Sequence, residues 1–192
     1  MFVGIDQSLT AFAAVALKGP EDEDPNVLFI KPKTKGVRRL WDLREALSAW
    51  LESMSTPEHI VLEGYAYSST MGHALGECGG MVKLALLDLY GVDDQLSYPS
   101  IPTTQQLKMF CGLPGNAKKN LMLKAVYQKW GVDFDDDNKA DAYGLAKIAC
   151  SLSTGARFEY EKHVLAKIKV HAEWEAPKMS LSPRRPRSRS SG

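Results

Sequence analysis

Short apolar runs near the start of the chain constrain its fold more than any other feature of the sequence. The first three runs span residues 2–5, 10–17 and 27–30, and each has the length of a single strand. An acidic stretch bounded by proline, residues 19–25, separates the second run from the third. This pattern predicts that the chain opens with three antiparallel strands.

Helices and two further strands are predicted downstream. Apolar side chains recur at helical spacing between residues 37 and 54, and residues 59–63 follow as a fourth strand. Residues 73–89 predict a mostly buried helix because only three of them are charged, and residues 96–101 predict a short fifth strand. This order of elements predicts an α/β fold with a mixed five-stranded sheet flanked by helices.

The second half of the chain is predicted to be mainly helical. Thr103, followed by Gln106, is typical of a capping box at the start of a short helix. Asn116 is expected to cap a second helix that ends before Gly131. A last long helix is expected to begin after the acidic residues 133–138 and to end near residue 152.

Composition divides the chain into three parts. The 192 residues, of which 44% are hydrophobic, suffice for one compact domain, which we expect at residues 1–153. Residues 154–176 form a C-terminal extension whose amphipathic stretch fits either a helix or a strand. Residues 177–192 consist mainly of proline, arginine and serine, and we expect this basic tail to be disordered.

Charge and cysteine content leave many functional classes open. The formal net charge is +1, and five cations lie in the tail, so the remainder carries an acidic balance. The three cysteines are widely spaced, which favours neither a disulfide framework nor a zinc site. No segment has the pattern of a signal peptide or a membrane span, and we expect a cytoplasmic protein with no membrane partner.

Three carboxylates stand where apolar runs stop. Asp6 ends the first strand, Glu63 ends the fourth, and Asp141 lies in the first turns of the last helix. If the two strands are neighbours, both of their carboxylates emerge at the same edge of the sheet, where a helix start can place Asp141 beside them. Three like charges repel one another unless cations lie between them, and Mg²⁺ and Mn²⁺ prefer carboxylate oxygens. Two such ions could hydrolyse a phosphodiester.

Each acid also has an ordinary structural interpretation. An aspartate after a strand, such as Asp6, is more often a turn former than a ligand. Glu63 follows a run that favours burial, and Asp141 could be a surface acid on a packed helix. The acidic residues 135–137 more often form a solvated loop that favours the helix dipole.

Taken together, three motifs resemble one known family in their order and spacing. They are Val3-Gly4-Ile5-Asp6 followed by Ser8 and Thr10, then Ile60-Val61-Leu62-Glu63, and then Asn138-Lys139-Ala140-Asp141-Ala142. This pattern, over residues 1–153, resembles the RuvC-like Holliday-junction resolvases, including phage-type members. The resemblance implies a ribonuclease H-like fold, metal-dependent cutting of four-way junctions or other branched DNA, and a homodimer. It also implies that the protein acts in the cytoplasm of a bacterial or virus-infected cell.

The resemblance also implies roles for individual residues. Asp6, Glu63 and Asp141 would be the catalytic, metal-binding carboxylates, with Mg²⁺ as the cofactor and Mn²⁺ as a substitute. Family members commonly carry a fourth ligand three residues before the last aspartate, where this chain has Asn138. We favour Asn138 on spacing and keep Asp137 as the alternate, because both share a helix face with Asp141.

Basic and aromatic residues suggest how DNA is held. Lys118 and Lys119 are expected to open a helix, with Lys124 following, where ammonium groups could bind a phosphate. A solvated cationic face explains each lysine equally well, but in the family a basic residue near this point assists catalysis, which favours Lys118 or Lys119. The predicted DNA contacts are completed by two tyrosines after Glu63 and by the arginines of the tail: Tyr65, Tyr67, Arg184, Arg185, Arg187 and Arg189.

Other interpretations stay open at this point. Asn138 in place of an acid is the one sequence feature that points to a rival, a junction-binding protein that keeps the fold and does not cut. A lobe of an actin-like ATPase also begins with an Asp-bearing hairpin, but this chain is too short for two lobes. The helix at residues 73–89 is apolar on several faces. Either another helix of the chain or a second copy covers the outer face, and the resemblance favours the second copy.

Overall fold

The computed structural model describes residues 1–64, 72–91 and 98–168. These ranges contain four strands and six helices. The strands are β1 (Phe2–Asp6), β2 (Phe12–Leu17), β3 (Asn26–Ile30) and β4 (His59–Leu62). The helices are α1 (Gly36–Glu52), α2 (Gly72–Tyr90), α3 (Thr104–Phe110), α4 (Leu121–Trp130), α5 (Asp137–Thr154) and α6 (Glu159–Leu165).

The four strands form one mixed sheet in the order β3-β2-β1-β4. β1 pairs with β2, and β2 with β3, in antiparallel fashion, which confirms the predicted three-stranded opening. β4 returns through α1 and pairs with β1 in parallel, with Leu62 opposite Ile5. The Glu63 backbone N–H continues this ladder by donating to the Ile5 carbonyl at 3.0 Å. The parallel pairing therefore places Asp6 and Glu63 at the same edge of the sheet.

The outer edge of β4 carries a short parallel pairing in place of a regular fifth strand. Ser100 forms an isolated bridge with Val61, and its amide donates to the Ile60 carbonyl at 3.1 Å. Leu62 N–H in turn donates to the Ser100 carbonyl at 3.0 Å. The predicted fifth strand, residues 96–101, lies partly outside the described residues, and the described part of the chain forms a four-stranded sheet.

Helices cover both faces of the sheet because the strand side chains alternate between two cores. On one face, Phe2 and Val15 pack with the apolar side chains of α5. On the other face, Val3 and Ile5 pack with side chains of α1 and α2. The two inner strands of the sheet, β1 and β2, are therefore buried along their whole length.

Gly4 determines how closely α5 approaches β1. A Cβ atom at this position would lie 2.2 Å from both the Ala142 carbonyl oxygen and the Ala146 amide nitrogen. Only glycine therefore allows the helix backbone to rest against the strand. The close packing brings the first turns of α5, which carry Asp141, to the end of β1.

The start of α4 differs from the prediction. The helix begins at Leu121, and Asn116 does not cap it. The preceding residues form turns instead, in which Ala117 N–H donates to the Pro114 carbonyl and Leu121 N–H donates to the Lys118 carbonyl. Proline followed by Gly115 favours such turns over a helix start. Lys118 and Lys119 therefore lie in the turn before α4 and do not open the helix.

The C-terminal part of the described chain packs onto α3. The amphipathic stretch of the C-terminal extension, which fitted either a helix or a strand, contains the helix α6 up to Leu165, and Val164 and Ile168 are buried in the core beside α5. The predicted capping box at Thr103 is confirmed. Its partner residue Gln106 also donates through Nε2 to the Lys167 carbonyl at 3.0 Å.

Among the described ranges, no helix combines the length and apolar character needed to span a bilayer.

Candidate active site

Asp6 and Glu63 lie side by side where β1 and β4 end. The Asp6 side chain is buried, with 3% of the residue exposed, whereas Glu63 is half-buried. Two neighbours hold Glu63 in place. The Thr104 hydroxyl donates to Glu63 Oε1 at 3.0 Å, and Gln7 Nε2 donates to the Glu63 carbonyl at 2.7 Å. The parallel strands and these two contacts fix both carboxylates at one edge.

Asp141 approaches the same edge from α5. It lies one turn after the first residue of the helix and is buried, with 4% exposed. Asp136 caps this helix, and its carboxylate accepts from the Asn138 amide N–H at 3.1 Å. The N-cap thus fixes where the first turn of the helix begins. The close contact at Gly4 fixes how near the helix lies to the sheet. The three predicted carboxylates are therefore brought together by elements that are distant in sequence.

Burial and mutual repulsion dominate the electrostatics of this acidic cluster. Burial raises the pKa of Asp6 well above its ordinary value, and the charges of Glu63 and Asp141 raise it further. Burial also raises the pKa of Asp141 to about 7, again with a contribution from Glu63. Within the described residues, Asp6 Oδ2 and Asp141 Oδ1 are buried and have no hydrogen-bond partner. Buried carboxylate oxygens with no donor are costly unless a proton or a cation satisfies them.

Lys119 supplies positive charge at the mouth of the cluster. Its Nζ lies 2.8 Å from Asn138 Oδ1, 3.6 Å from Asp137 Oδ2 and 3.8 Å from Asp141 Oδ2, and half of its side chain is exposed. Burial lowers the pKa of Lys119, but the charges of Asp6 and the other acids outweigh this effect and raise it overall. The ammonium group is therefore held in its charged form next to the carboxylates.

A cavity of about 180 Å³ opens over the cluster. The residues that line it come from the ends of β1 and β4, from α2, and from the region of α4 and α5: Asp6, Gln7, Ser8, Glu63, Gly64, Leu75, Lys119 and Asn138. Across the described ranges, no three Asp, Glu, His or Cys side chains already converge as a ready-made metal-binding set. The free oxygens of Asp6 and Asp141 nevertheless fit a hard divalent cation in charge and in donor type.

The two candidates for a fourth ligand differ in position. Asn138 is buried and lines the cavity, and its Oδ1 faces Lys119 while its Nδ2 donates to Asp136 Oδ1 at 2.7 Å. Asp137 is more exposed, and its Oδ2 lies 3.6 Å from Lys119 Nζ, a longer distance than the 2.8 Å from Asn138 Oδ1. Asn138 thus lines the cavity with its side-chain oxygen bonded to Lys119, whereas Asp137 does not line it.

The other predicted contact residues are scattered. Lys118 and Lys124 are exposed on the surface. Lys31 pairs with the helix cap Asp136 at 3.2 Å, which places one cation beside the start of α5. The predicted DNA contacts that lie outside the described residues are Tyr65, Tyr67, Arg184, Arg185, Arg187 and Arg189.

Two residues of this site were not predicted from the sequence. Thr104 directly follows the capping residue Thr103, and its contact with Glu63 spans 41 positions in the chain. Gln7 directly follows Asp6, and its contact with Glu63 spans 56 positions. The only local signal was the adjacency of Gln7 to the first acid, because contacts of such range depend on the pairing of β1 with β4.

The fold agrees with that of known structures, although no known family model and no curated protein matches the sequence. One solved structure of Thermus thermophilus RuvC superposes with a TM-score of 0.57 at 18% identity, covering 80% of this chain and 95% of that one. T. thermophilus RuvC in complex with Holliday junction substrate superposes with a TM-score of 0.53 at 20% identity, covering 77% and 92%. The chain therefore shares the α/β fold of these structures over most of its length.

Proposed function

We propose that this protein is a Mg²⁺-dependent endonuclease with a ribonuclease H-like fold that cuts four-way DNA junctions. The observation that carries this proposal is that Asp6 lies near enough to Glu63 and Asp141 for their charges to raise its pKa, while Asp6 and Asp141 each keep a buried oxygen with no donor within the described residues. The likeness in fold to a RuvC structure in complex with Holliday junction substrate supports the choice of DNA substrate. Cutting of other branched DNA, such as flaps or forks, belongs to the same proposal.

The carboxylates would hold the metal. Asp6, Glu63 and Asp141 are its proposed ligands, with Asn138 as the fourth and Asp137 as the alternate. When bound, Mg²⁺, or Mn²⁺ in its place, would activate a water and neutralise charge on the phosphodiester. The Thr104 hydroxyl holds one Glu63 oxygen in place at the edge of the cavity.

Lysine side chains would position the DNA backbone. The Lys119 ammonium lies at the rim of the cavity with half of its side chain exposed, where a phosphate can reach it. Lys118 and Lys124 lie nearby on the surface and would contact a junction arm. The basic tail, with Arg184, Arg185, Arg187 and Arg189, would add contacts that depend on salt and not on sequence.

Paired cuts in a four-way junction require two active sites at a fixed distance, which a two-fold homodimer supplies. The inner side of α2 is buried in the core with β1 and β4. Its outer side leaves Leu84 58% exposed and Leu87 half-buried, and α1 leaves Trp41 52% exposed. We propose that a second copy of the chain covers this face.

An enzyme with the proposed function would act in the cytoplasm of a bacterial or virus-infected cell.

One observation favours a second candidate function, junction binding without cutting. Asn138 replaces an acid, and its side-chain oxygen is already bonded to Lys119. A protein of this kind would recognise the same DNA and would show no Mg²⁺-dependent turnover.

Titration of a labelled four-way junction with Mg²⁺ separates these functions. We expect cutting that rises with Mg²⁺ and is absent with Ca²⁺, whose larger and more flexible coordination does not suit the reaction. Linear duplex of the same sequence serves as the control substrate and should stay intact. Tight junction binding with no cutting in Mg²⁺ or Mn²⁺ would support the second candidate and contradict the first.

A further inference from the structure

Gln7 has an unusual environment for a glutamine that directly follows a strand. It is buried, with 4% exposed, and it lines the same cavity as Asp6 and Glu63. Ser8 N–H donates to the Asp6 carbonyl at 3.0 Å, so the chain makes a tight three-residue turn centred on Gln7. The turn holds this side chain between the two carboxylate-bearing strand ends.

The orientation of the Gln7 amide follows from its partner. Its Nε2 donates to the Glu63 carbonyl oxygen at 2.7 Å, and a carbonyl can only accept. The amide oxygen must therefore face the other way. Within the described residues, this Oε1 is buried and has no hydrogen-bond partner. A buried acceptor with no donor is rare and needs an explanation.

We propose that Gln7 is a positioning residue of the metal site, an inference that rests on the proposed function. The amide nitrogen fixes the Glu63 backbone relative to Asp6, and the free Oε1 accepts a hydrogen bond from a water in the coordination shell of the bound Mg²⁺. Mg²⁺ keeps several of its waters when it binds to proteins, and neutral acceptors around those waters orient them. Gln7 therefore supplies an acceptor to the cavity without adding a fourth negative charge.

The test measures Mg²⁺ binding by the shift in melting temperature, with EDTA as the metal-free reference. Gln7→Met keeps the length of the side chain and removes both the donor and the acceptor. We expect its Mg²⁺ affinity to fall about 10-fold to 100-fold, the range typical of residues that support metal ligands. Gln128→Met makes the same chemical change at an exposed position of α4 and should bind Mg²⁺ like the wild type.

A second variant separates the two roles. Gln7→Glu keeps an oxygen at the free position and loses the donor, so it should bind Mg²⁺ more tightly than Gln7→Met. Equal Mg²⁺ affinity of the wild type and Gln7→Met would overturn the proposal, as would weaker binding by Gln7→Glu than by Gln7→Met. If Gln7→Met does not fold, a loss of more than tenfold in Gln7→Glu relative to the wild type would overturn the acceptor role.

These outcomes are distinct from failure of the proposed function. If the wild type shows no Mg²⁺ response, the metal-dependent function itself fails. If the wild type responds, Asp6→Asn abolishes the response and Gln7→Met does not alter it, the metal site stands and the role of Gln7 is refuted.

Discussion

The Lys119 ammonium lies 3.8 Å from Asp141 Oδ2, although Lys119 belongs to the turn before α4 and Asp141 to α5. The same ammonium also contacts Asn138 and Asp137. In the metal-free protein, Lys119 therefore acts as an internal cation for the acidic cluster. The divalent ion proposed to enter the cavity would meet this positive charge, and the two would compete for the same carboxylates.

Replacement of Lys119 by methionine should tighten Mg²⁺ binding. The side chain is half exposed, so screening limits the effect to about 1 kcal/mol, or roughly fivefold in affinity. The same variant should cut DNA more slowly because the phosphate contact is lost. Isothermal titration of Mg²⁺ would measure the first effect, with Lys118→Met as the matched control from the same turn. Unchanged or weaker Mg²⁺ affinity in Lys119→Met would contradict the competition.

The pH dependence of stability should reflect Asp141. Its pKa is about 7 in the folded protein, raised from an ordinary value of 3.8 by burial and by the nearby charges. Between these values the folded chain holds a proton that the unfolded chain releases, so protonation stabilises the fold. The metal-free protein should therefore lose stability as the pH rises from about 4 to about 7. Chemical denaturation in EDTA across this range, with Asp141→Asn showing a smaller slope, checks the prediction.

Mg²⁺ should reverse this trend, because metal binding requires the ionised carboxylates. The increase in melting temperature caused by Mg²⁺ should be small below pH 5 and should grow toward pH 8. A Mg²⁺ effect that is independent of pH would show that the ion binds elsewhere.

Gly4→Ala should damage both the fold and the site. The new Cβ would lie 2.2 Å from backbone atoms of Ala142 and Ala146, which cannot move aside as a flexible side chain would. We expect a loss of about 3 kcal/mol or more in the free energy of unfolding, at the upper end of overpacking effects. Gly19→Ala is the control, since no atom lies within 4 Å of its Cβ. Equal denaturation midpoints for the two variants would contradict this view of α5 packing.

The proposed homodimer predicts the effect of a charge on α2. Leu84→Glu should yield monomers that bind a junction but no longer make paired cuts, because a charge at a covered apolar surface is costly to bury. Met109→Glu places the same charge at a 45% exposed position of α3 and should leave assembly intact. Sedimentation velocity compares the two variants. A wild-type protein that is monomeric both free and on a junction would exclude this assembly.

Local patterns explain why part of the site could be predicted from the sequence. Asp6 and Glu63 each follow an apolar run, and parallel pairing of two such runs places their ends together. The apolar runs themselves and the cap at Thr103 depend on residues within a few positions of one another, which is the range over which propensity and capping act.

Long-range packing explains what could not be predicted. The contact of Gln7 with Glu63 requires a strand register that no single segment encodes. The start of α4 was misplaced because Asn116 resembles a cap, whereas the Pro114-Gly115 pair keeps the chain in turns until Leu121. The predicted fifth strand, residues 96–101, stays unconfirmed because it lies partly outside the described residues, and in its described part Ser100 pairs with β4 as an isolated bridge.

Removal of each carboxylate tests the central claim most directly. Asp6→Asn, Glu63→Gln and Asp141→Asn each remove negative charge that would hold the metal while leaving the proposed phosphate contacts in place. Each variant should bind a labelled four-way junction with nearly wild-type affinity and cut it at less than about 1% of the wild-type rate in Mg²⁺, because charge stabilisation at a metal site contributes several kcal/mol. Asp133→Asn, at an exposed acid, should cut normally. Near-wild-type cutting by any one of the three variants would contradict the account.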